Sequence, residues 1–150
     1  MRKILFVCTG NTCRSVLAHY YFIKLAQGKK LNIEVKSAGV AVAQGISSPE
    51  IVRKLLEQEG IGEFKHVPAQ IDKQIIGEAE LILGMTSDHK QLLAAMFPEA
   101  AGKTFALNEY AGLPDKDIED PFGASDEAYK AVFESIKKAV SEVLNRLEKK

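Results

Sequence analysis

Four consecutive apolar residues, Ile4 to Val7, run straight into Cys8-Thr9-Gly10-Asn11-Thr12-Cys13-Arg14-Ser15, and beyond Ser15 the apolar positions take up helical spacing. A short unbroken apolar run suits a strand buried on both faces, which is found where helices cover both sides of a parallel sheet. Val16, Tyr20 and Ile23, with Leu17, Tyr21 and Leu25 beside them, then mark an amphipathic helix. Strand, polar loop and helix in that order confine the chain to α/β folds.

The rest of the chain repeats the pattern. Ile33 and Val35 alternate with charged residues and lead to Ser37-Ala38-Gly39, a strand followed by a turn. Ser48-Pro49 predicts a helix start by capping chemistry, with Ile51, Val52, Leu55 and Leu56 carrying the helix to Gly60. Leu81 to Met85 predicts a third buried strand, Ser87 a cap for a helix bearing Leu92, Leu93 and Met96, and Thr104 to Leu107 a fourth strand. The last helix is the plainest: Tyr129, Val132, Phe133, Ile136, Val140, Val143, Leu144 and Leu147 fall on one stripe. Before it lies a loop from about Asn108 to Ala124, long enough to suggest a job. The expectation is one domain over 1–150, a small doubly wound four-stranded parallel sheet flanked by helices, with its ligand crevice at the carboxyl ends of the strands. Cys8 stands at the first such end.

A loop that joins a buried strand to a helix start can turn several N–H groups inward as a nest for a phosphate-sized anion. Gly10 offers unusual backbone angles, Asn11 tolerates the left-handed region, and Arg14 supplies a planar fork for phosphate oxygens. Thr9, Thr12, Cys13 and Ser15 complete the cradle. The same amides and helix dipole favour a thiolate at Cys8, which makes it a nucleophile, and Ser15 is placed to donate a hydrogen bond to it. The chemistry expected is phosphoryl transfer to sulfur. No Gly-x-Gly-x-x-Gly, Gly-Lys-Ser or Gly-Lys-Thr is present for a nucleotide.

Composition narrows the partners. Twenty Lys and Arg against twenty Asp and Glu leave a formal net charge of zero, so no global field draws the protein to nucleic acid or an anionic membrane. Two cysteines are too few for a disulfide-stapled scaffold, and the apolar run at the amino terminus is too short for a signal peptide or a membrane span. The expectation is a monomer in the reducing cytoplasm. A zinc site through Cys8, Cys13 and histidines is disfavoured by the charge of Arg14.

Cys-Thr-Gly-Asn-Thr-Cys-Arg-Ser resembles the active-site loop of the low-molecular-weight protein tyrosine phosphatases, and the resemblance continues through Ser37-Ala38-Gly39, Met85-Thr86 and Asp120-Pro121. The resemblance implies the fold inferred above and activity without metal or organic cofactor. It also implies that Asn11, Ser15, Ser37 and His66 form a hydrogen-bond network supporting the loop. Cys13 reads either as a small packing residue or as a thiol that traps oxidised Cys8, and the family counterpart implies the second. His19 and His89 read as solvated helix residues.

The leaving group needs a proton. Asp115, Asp117, Glu119, Asp120, Asp126 and Glu127 all lie on or beside the long loop, and composition does not choose among them, although Pro121 stiffens the backbone next to Asp120. The resemblance implies Asp120, the Asp of an Asp-Pro pair.

Tyrosine-specific members of the family usually carry an aliphatic residue where this chain has Thr12, and two successive aromatics after Asp-Pro where this chain has Phe122 and Gly123. A missing second aromatic removes a wall for a phenol ring, and a hydroxyl at the loop mouth suits a guanidinium. Both departures resemble the protein-arginine phosphatase branch. Residues 115–127 hold six acidic side chains and one lysine, a local field suited to a guanidinium leaving group and basic peptide neighbours. The reading is therefore a phosphatase of phosphorylated proteins, phosphoarginine first and phosphotyrosine second. An arsenate reductase shares the fold and loop but needs relay cysteines beyond Cys13, and a silent phosphate-binding module would need a broken nucleophile or acid.

Overall fold

The computed structural model describes residues 2–62, 65–115 and 117–149. Strands β1 (Arg2–Cys8), β2 (Ile33–Gly39), β3 (Leu81–Gly84) and β4 (Thr104–Ala106) form one sheet in the order β2-β1-β3-β4, with every pairing parallel. Helices α1 (Arg14–Ala26), α2 (Glu50–Gln58), α3 (Lys73–Glu78), α4 (Ser87–Met96), α5 (Leu107–Ala111) and α6 (Asp126–Glu148) are joined by a 3₁₀ turn over Pro98–Lys103. Among the described residues no helix is long and apolar enough to cross a membrane.

The unbroken apolar run of β1 is explained by two cores. Ile4, Phe6 and Cys8 face α1, α2, α5 and α6, whereas Leu5 and Val7 face Ile71, Ile76 and Leu93 on the other side of the sheet. Each buried aliphatic or aromatic side chain contributes roughly 1.5–3 kcal/mol by leaving water, so β1 is held from both faces and its carboxyl end is a rigid platform. The whole predicted stripe of α6, from Tyr129 to Leu147, is buried. On α4, by contrast, only Leu93 of the three predicted apolar residues is buried.

Several local expectations are corrected. Ser48 caps nothing: α2 begins after Pro49 without a side-chain cap, and Ser48 Oγ is buried without a partner. The cap of α4 is Thr86 rather than Ser87, its side chain accepting from the His89 N–H. The stretch predicted as loop from Asn108 opens instead with α5, because Tyr110, Leu107 and Ala111 find buried places against the sheet and α6. The remaining irregular stretch, about 112–125, is the acid-bearing loop discussed below.

Strand order reverses between β1 and β3, so helices leave the sheet on opposite sides there and open a crevice. Cys8 lies at its edge, paired with Gly39 of β2, while Val7 is paired with Gly84 of β3.

Candidate active site

The loop from Cys8 to Ser15 turns on Asn11, whose φ of 55° is the one positive value at a non-glycine among the described residues. Gly10, expected to supply that freedom, does not: it has no positive φ, and a side chain there would meet only Thr12 Oγ1 at 3.8 Å. The glycine the loop requires is Gly39. A Cβ at that position would lie 2.6 Å from the Thr9 carbonyl and 3.0 Å from the Asn11 amide, so β2 ends hard against the loop only because no side chain intervenes. Backbone bonds from Val40 N to Cys8 O and from Ala41 N to Thr9 O close the seam.

Asn11 holds its conformation by what its side chain does. Its Nδ2 donates to Ser15 Oγ at 2.8 Å, and its Oδ1 accepts from Ala69 N at 2.9 Å and from His66 Nε2 at 3.0 Å. Three bonds at about 1 kcal/mol each outweigh the roughly 1–2 kcal/mol of a left-handed residue. Since Ser15 Oγ accepts from Asn11, its hydroxyl proton is free to point at Cys8 Sγ, 2.9 Å away. The Asn11 N–H reaches the same sulfur at 3.3 Å. The sulfur therefore sits between two donors that stabilise negative charge.

His66, predicted to support the loop, bonds to both the carbonyl and the side chain of Asn11. Tyr20 OH lies 3.2 Å from its Nδ1, which leaves the Nε2 proton for Asn11. Burial pushes the His66 pKa down, opposed by the bond to the Asn11 backbone. Ser37 is buried, and its hydrogen bond goes to a histidine rather than to Asn11. Its hydroxyl pairs with His19 Nδ1 at 2.8 Å, and His19 in turn stacks on Tyr20 with ring centroids 4.4 Å apart.

His19 and His89 are thus not solvated. Burial first, then the neighbouring His66, pushes His19 down to about 4. His89 is buried between two threonines, Nδ1 2.9 Å from Thr86 Oγ1 and Nε2 3.0 Å from Thr9 Oγ1. Thr86 already accepts from the His89 N–H, so its hydroxyl serves Nδ1 and the Nε2 proton goes to Thr9. Burial and then Arg14 push His89 to about 4. A neutral imidazole here ties the loop to the start of α4.

Arg14 opens α1, and its side chain is only 6% exposed. Its guanidinium donates to the carbonyl of Ile118 at 3.0 Å and lies 3.7 Å from an Asp120 carboxylate oxygen. Ile118 is itself buried, its N–H bonded to Met85 O just beyond β3. The acid-bearing loop is pinned to the sheet at this point and aims the arginine through its backbone. Asp120 is more than half exposed, and its other oxygen accepts from Phe122 N. Phe122 is 86% exposed.

Cys8, Thr12, Arg14 and Asp120 line one cleft of about 480 Å³. Its further walls, Ile46 from the segment before α2 and Tyr129 from α6, had no distinguishing signal in the sequence. Cys13 also borders the cleft, and its thiol is pushed up to about 12 by burial and then by Cys8, against the pull of Arg14. Both cysteines are free thiols. No side chain caps the amino terminus of α1 and its first turn holds no acid, so its amides and dipole remain available to an anion. A nucleophilic sulfur, an anion-binding helix start, a buried arginine and a carboxylate around one cavity are the parts of a phosphoryl-transfer site.

Residues 3–150 match the family described as low molecular weight phosphotyrosine protein phosphatase, and the chain belongs to that family. Within it, the chain is 40% identical over 147 residues to the protein-arginine-phosphatase of Geobacillus stearothermophilus, covering 97% of this chain and 96% of that one. The protein-arginine-phosphatase of Bacillus subtilis is 37% identical over 97% of each chain. Among solved structures, the YwlE arginine phosphatase from Geobacillus stearothermophilus superimposes with a TM-score of 0.91 at 38% identity, over 99% of this chain and 94% of that one. A YwlE mutant with a phosphorylated active site serine superimposes with a TM-score of 0.92 at 33% identity, over 98% and 96% of the two chains.

Proposed function

We propose that this cysteine-dependent phosphatase hydrolyses phosphoarginine on proteins. The observation that carries the reading is the Cys8 sulfur, held at the bottom of the cleft between the Ser15 hydroxyl and the Asn11 amide, with the Arg14 guanidinium beside it. Cys8 Sγ attacks phosphorus as the bond to the guanidino nitrogen breaks, and Arg14 with the α1 amides holds the non-bridging oxygens. Asp120 gives a proton to the departing nitrogen. It then takes one from water, which attacks the cysteinyl-phosphate, releasing orthophosphate and restoring the thiolate. The relative with a phosphorylated active site serine supports a covalent intermediate on the loop.

Thr12 and the lone Phe122 at the cleft favour a planar polar leaving group, and the two arginine phosphatases at 37–40% identity support that choice. Phosphotyrosine is the second reading, favoured by the open, apolar-walled cleft with Tyr129 and Ile46. Phosphate release from paired phosphoarginine and phosphotyrosine peptides separates them. Faster release from phosphoarginine is expected; the reverse order transfers the assignment to phosphotyrosine. Cys13 is proposed as the thiol that condenses with oxidised Cys8, losing water to give a disulfide. After peroxide and then reductant, activity returns in the parent protein and not in Cys13→Ser; equal recovery removes this role.

A further inference from the structure

The buried stripe of α6 is hydrocarbon at every position but one: Tyr129, in the first turn, carries a hydroxyl. A phenylalanine would fill the same place in the core, so packing does not account for the oxygen. Tyr129 is 6% exposed and lines the catalytic cleft. A phenol this deeply buried normally finds a hydrogen-bond partner, yet among the described residues the Tyr129 hydroxyl makes no hydrogen bond. Nor is it sealed in, as the unpaired Ser48 Oγ and Asn108 Oδ1 are. It therefore opens on the space that the residue borders. Burial first, then Cys13, Asp120 and Asp126, push the phenol pKa up, which puts the hydroxyl in the field of two groups that line the same cleft, Cys13 and Asp120.

Other polar groups of the cleft are already engaged. Thr9 Oγ1 pairs with His89, the Arg14 guanidinium with the Ile118 carbonyl and Asp120, and Asp120 with Arg14 and the Phe122 N–H. The oxygen of Tyr129 is also held still. Its backbone N–H bonds to the Ser125 carbonyl at 3.2 Å, Ser125 Oγ caps the 23-residue helix by accepting from Ala128 N, and the ring is packed in the main core. The residue is thus placed by α6 rather than by the acid-bearing loop. An uncommitted acceptor fixed before the substrate arrives is what discrimination by a single hydrogen bond requires.

We propose that the Tyr129 hydroxyl oxygen accepts a hydrogen bond from a terminal guanidino N–H of phosphoarginine and so selects that leaving group over the phenol of phosphotyrosine. The proposal rests on the reading of the protein as a phosphoarginine phosphatase, and it names a residue that enforces the choice. A guanidino group carries several N–H donors in one plane; while Asp120 serves the bridging nitrogen, another remains for Tyr129. The ring of phosphotyrosine carries no N–H or O–H, so that substrate covers the hydroxyl without pairing it, which is costly for a polar group in a closed site. The Tyr129 ring is an apolar wall for either leaving group, and its oxygen tells them apart.

The test uses the full chain and Tyr129→Phe, which removes the oxygen and keeps the ring, with phosphoarginine and phosphotyrosine in the same peptide. The readout is the ratio of kcat/KM for phosphoarginine over phosphotyrosine, taken within each protein so that general losses of folding or of phosphate binding cancel. The ratio is expected to fall about tenfold in Tyr129→Phe, the loss of one hydrogen bond to a charged group. In the same variant the phosphoarginine peptide should become a weaker competitive inhibitor of phosphotyrosine hydrolysis, because the bond is already made on binding. A ratio that stays within twofold of the parent overturns the proposal. So does an equal loss on both peptides, which would mean that the hydroxyl acts through Asp120 or the phosphate cradle and does not read the leaving group. A parent protein that hydrolyses the phosphotyrosine peptide alone overturns the phosphoarginine reading and this proposal with it, whereas a parent active on phosphoarginine with an unmoved ratio overturns this proposal only.

Discussion

The two loops that meet at the cleft are built on opposite principles. In residues 8–15 the structural side chains are buried and bonded: Asn11 alone makes three side-chain hydrogen bonds, Ser15 has fixed partners, and His66 and His89 bond to the loop from outside it. The acid-bearing loop is pinned at Ile118 and leaves Asp120 and Phe122 exposed. Holding a trigonal-bipyramidal phosphoryl group demands donors fixed in advance. Delivering a proton to leaving groups attached to different proteins is better served by a carboxylate that can adjust. In the proposed mechanism, rigidity is thus placed where the chemistry is constant and freedom where the substrate varies.

That contrast is open to direct attack. Cys8→Ser is expected to lower turnover at least about 10³-fold while phosphate or vanadate still binds; turnover within tenfold of the parent would place the nucleophile elsewhere. Asp120→Asn should cost about 10²-fold or more in kcat with an ester or phosphoramidate whose leaving group needs a proton. The loss should shrink with an activated aryl phosphate, and equal losses for both would deny Asp120 the role of acid. Asn11→Ala tests the fixed loop itself. It removes three bonds and leaves the left-handed turn, so unfolding stability should drop by about 2–3 kcal/mol and activity with it; a change below about 0.5 kcal/mol would show that the loop is held by its flanking strand and helix alone.

Thr12→Ile is expected to move the ratio of phosphoarginine to phosphotyrosine hydrolysis several-fold toward tyrosine, a discrimination of about 1 kcal/mol typical of one side chain in a pocket. An unchanged ratio detaches selectivity from Thr12. The smallest effect concerns pH. His19 and His89 titrate near 4 in the folded protein and near 6.5 when exposed, so between those values the unfolded chain binds more protons. The stability they confer is complete above about 6.5 and is lost as pH falls toward 4. Thermal melts from pH 7 to 4.5 should show this slope, reduced in His89→Gln; identical slopes would mean that the ring is not held neutral.

The sheet and the phosphate loop were legible because their signals are local. A four-residue apolar run, a change of period and a loop bearing Cys, Asn, Arg and Ser each report on a few neighbouring residues. What escaped depends on distant partners. The five residues of α5 carry too little periodicity to stand out, and they are helical because β4 and α6 give them a place. His89 reads as an ordinary helix residue until Thr9, eighty residues away, closes over it. Gly10 looked like the flexible position and Gly39 like a turn residue, yet the demand on Gly39 comes from a loop packed across the strand end. Ile118 was invisible for a different reason: its contribution to Arg14 is made by a carbonyl, which every residue possesses.

That carbonyl divides the molecule at a single joint. With the Ile118 N–H fastened to the sheet and its oxygen to Arg14, everything from Glu119 to Ser125 hangs beyond the fixed point. Apart from Asp120, the segment is therefore exchangeable in principle: its length and other side chains can be altered, by design or by descent, and a new clientele recruited, without retuning the half of the cleft that holds Cys8 and Arg14.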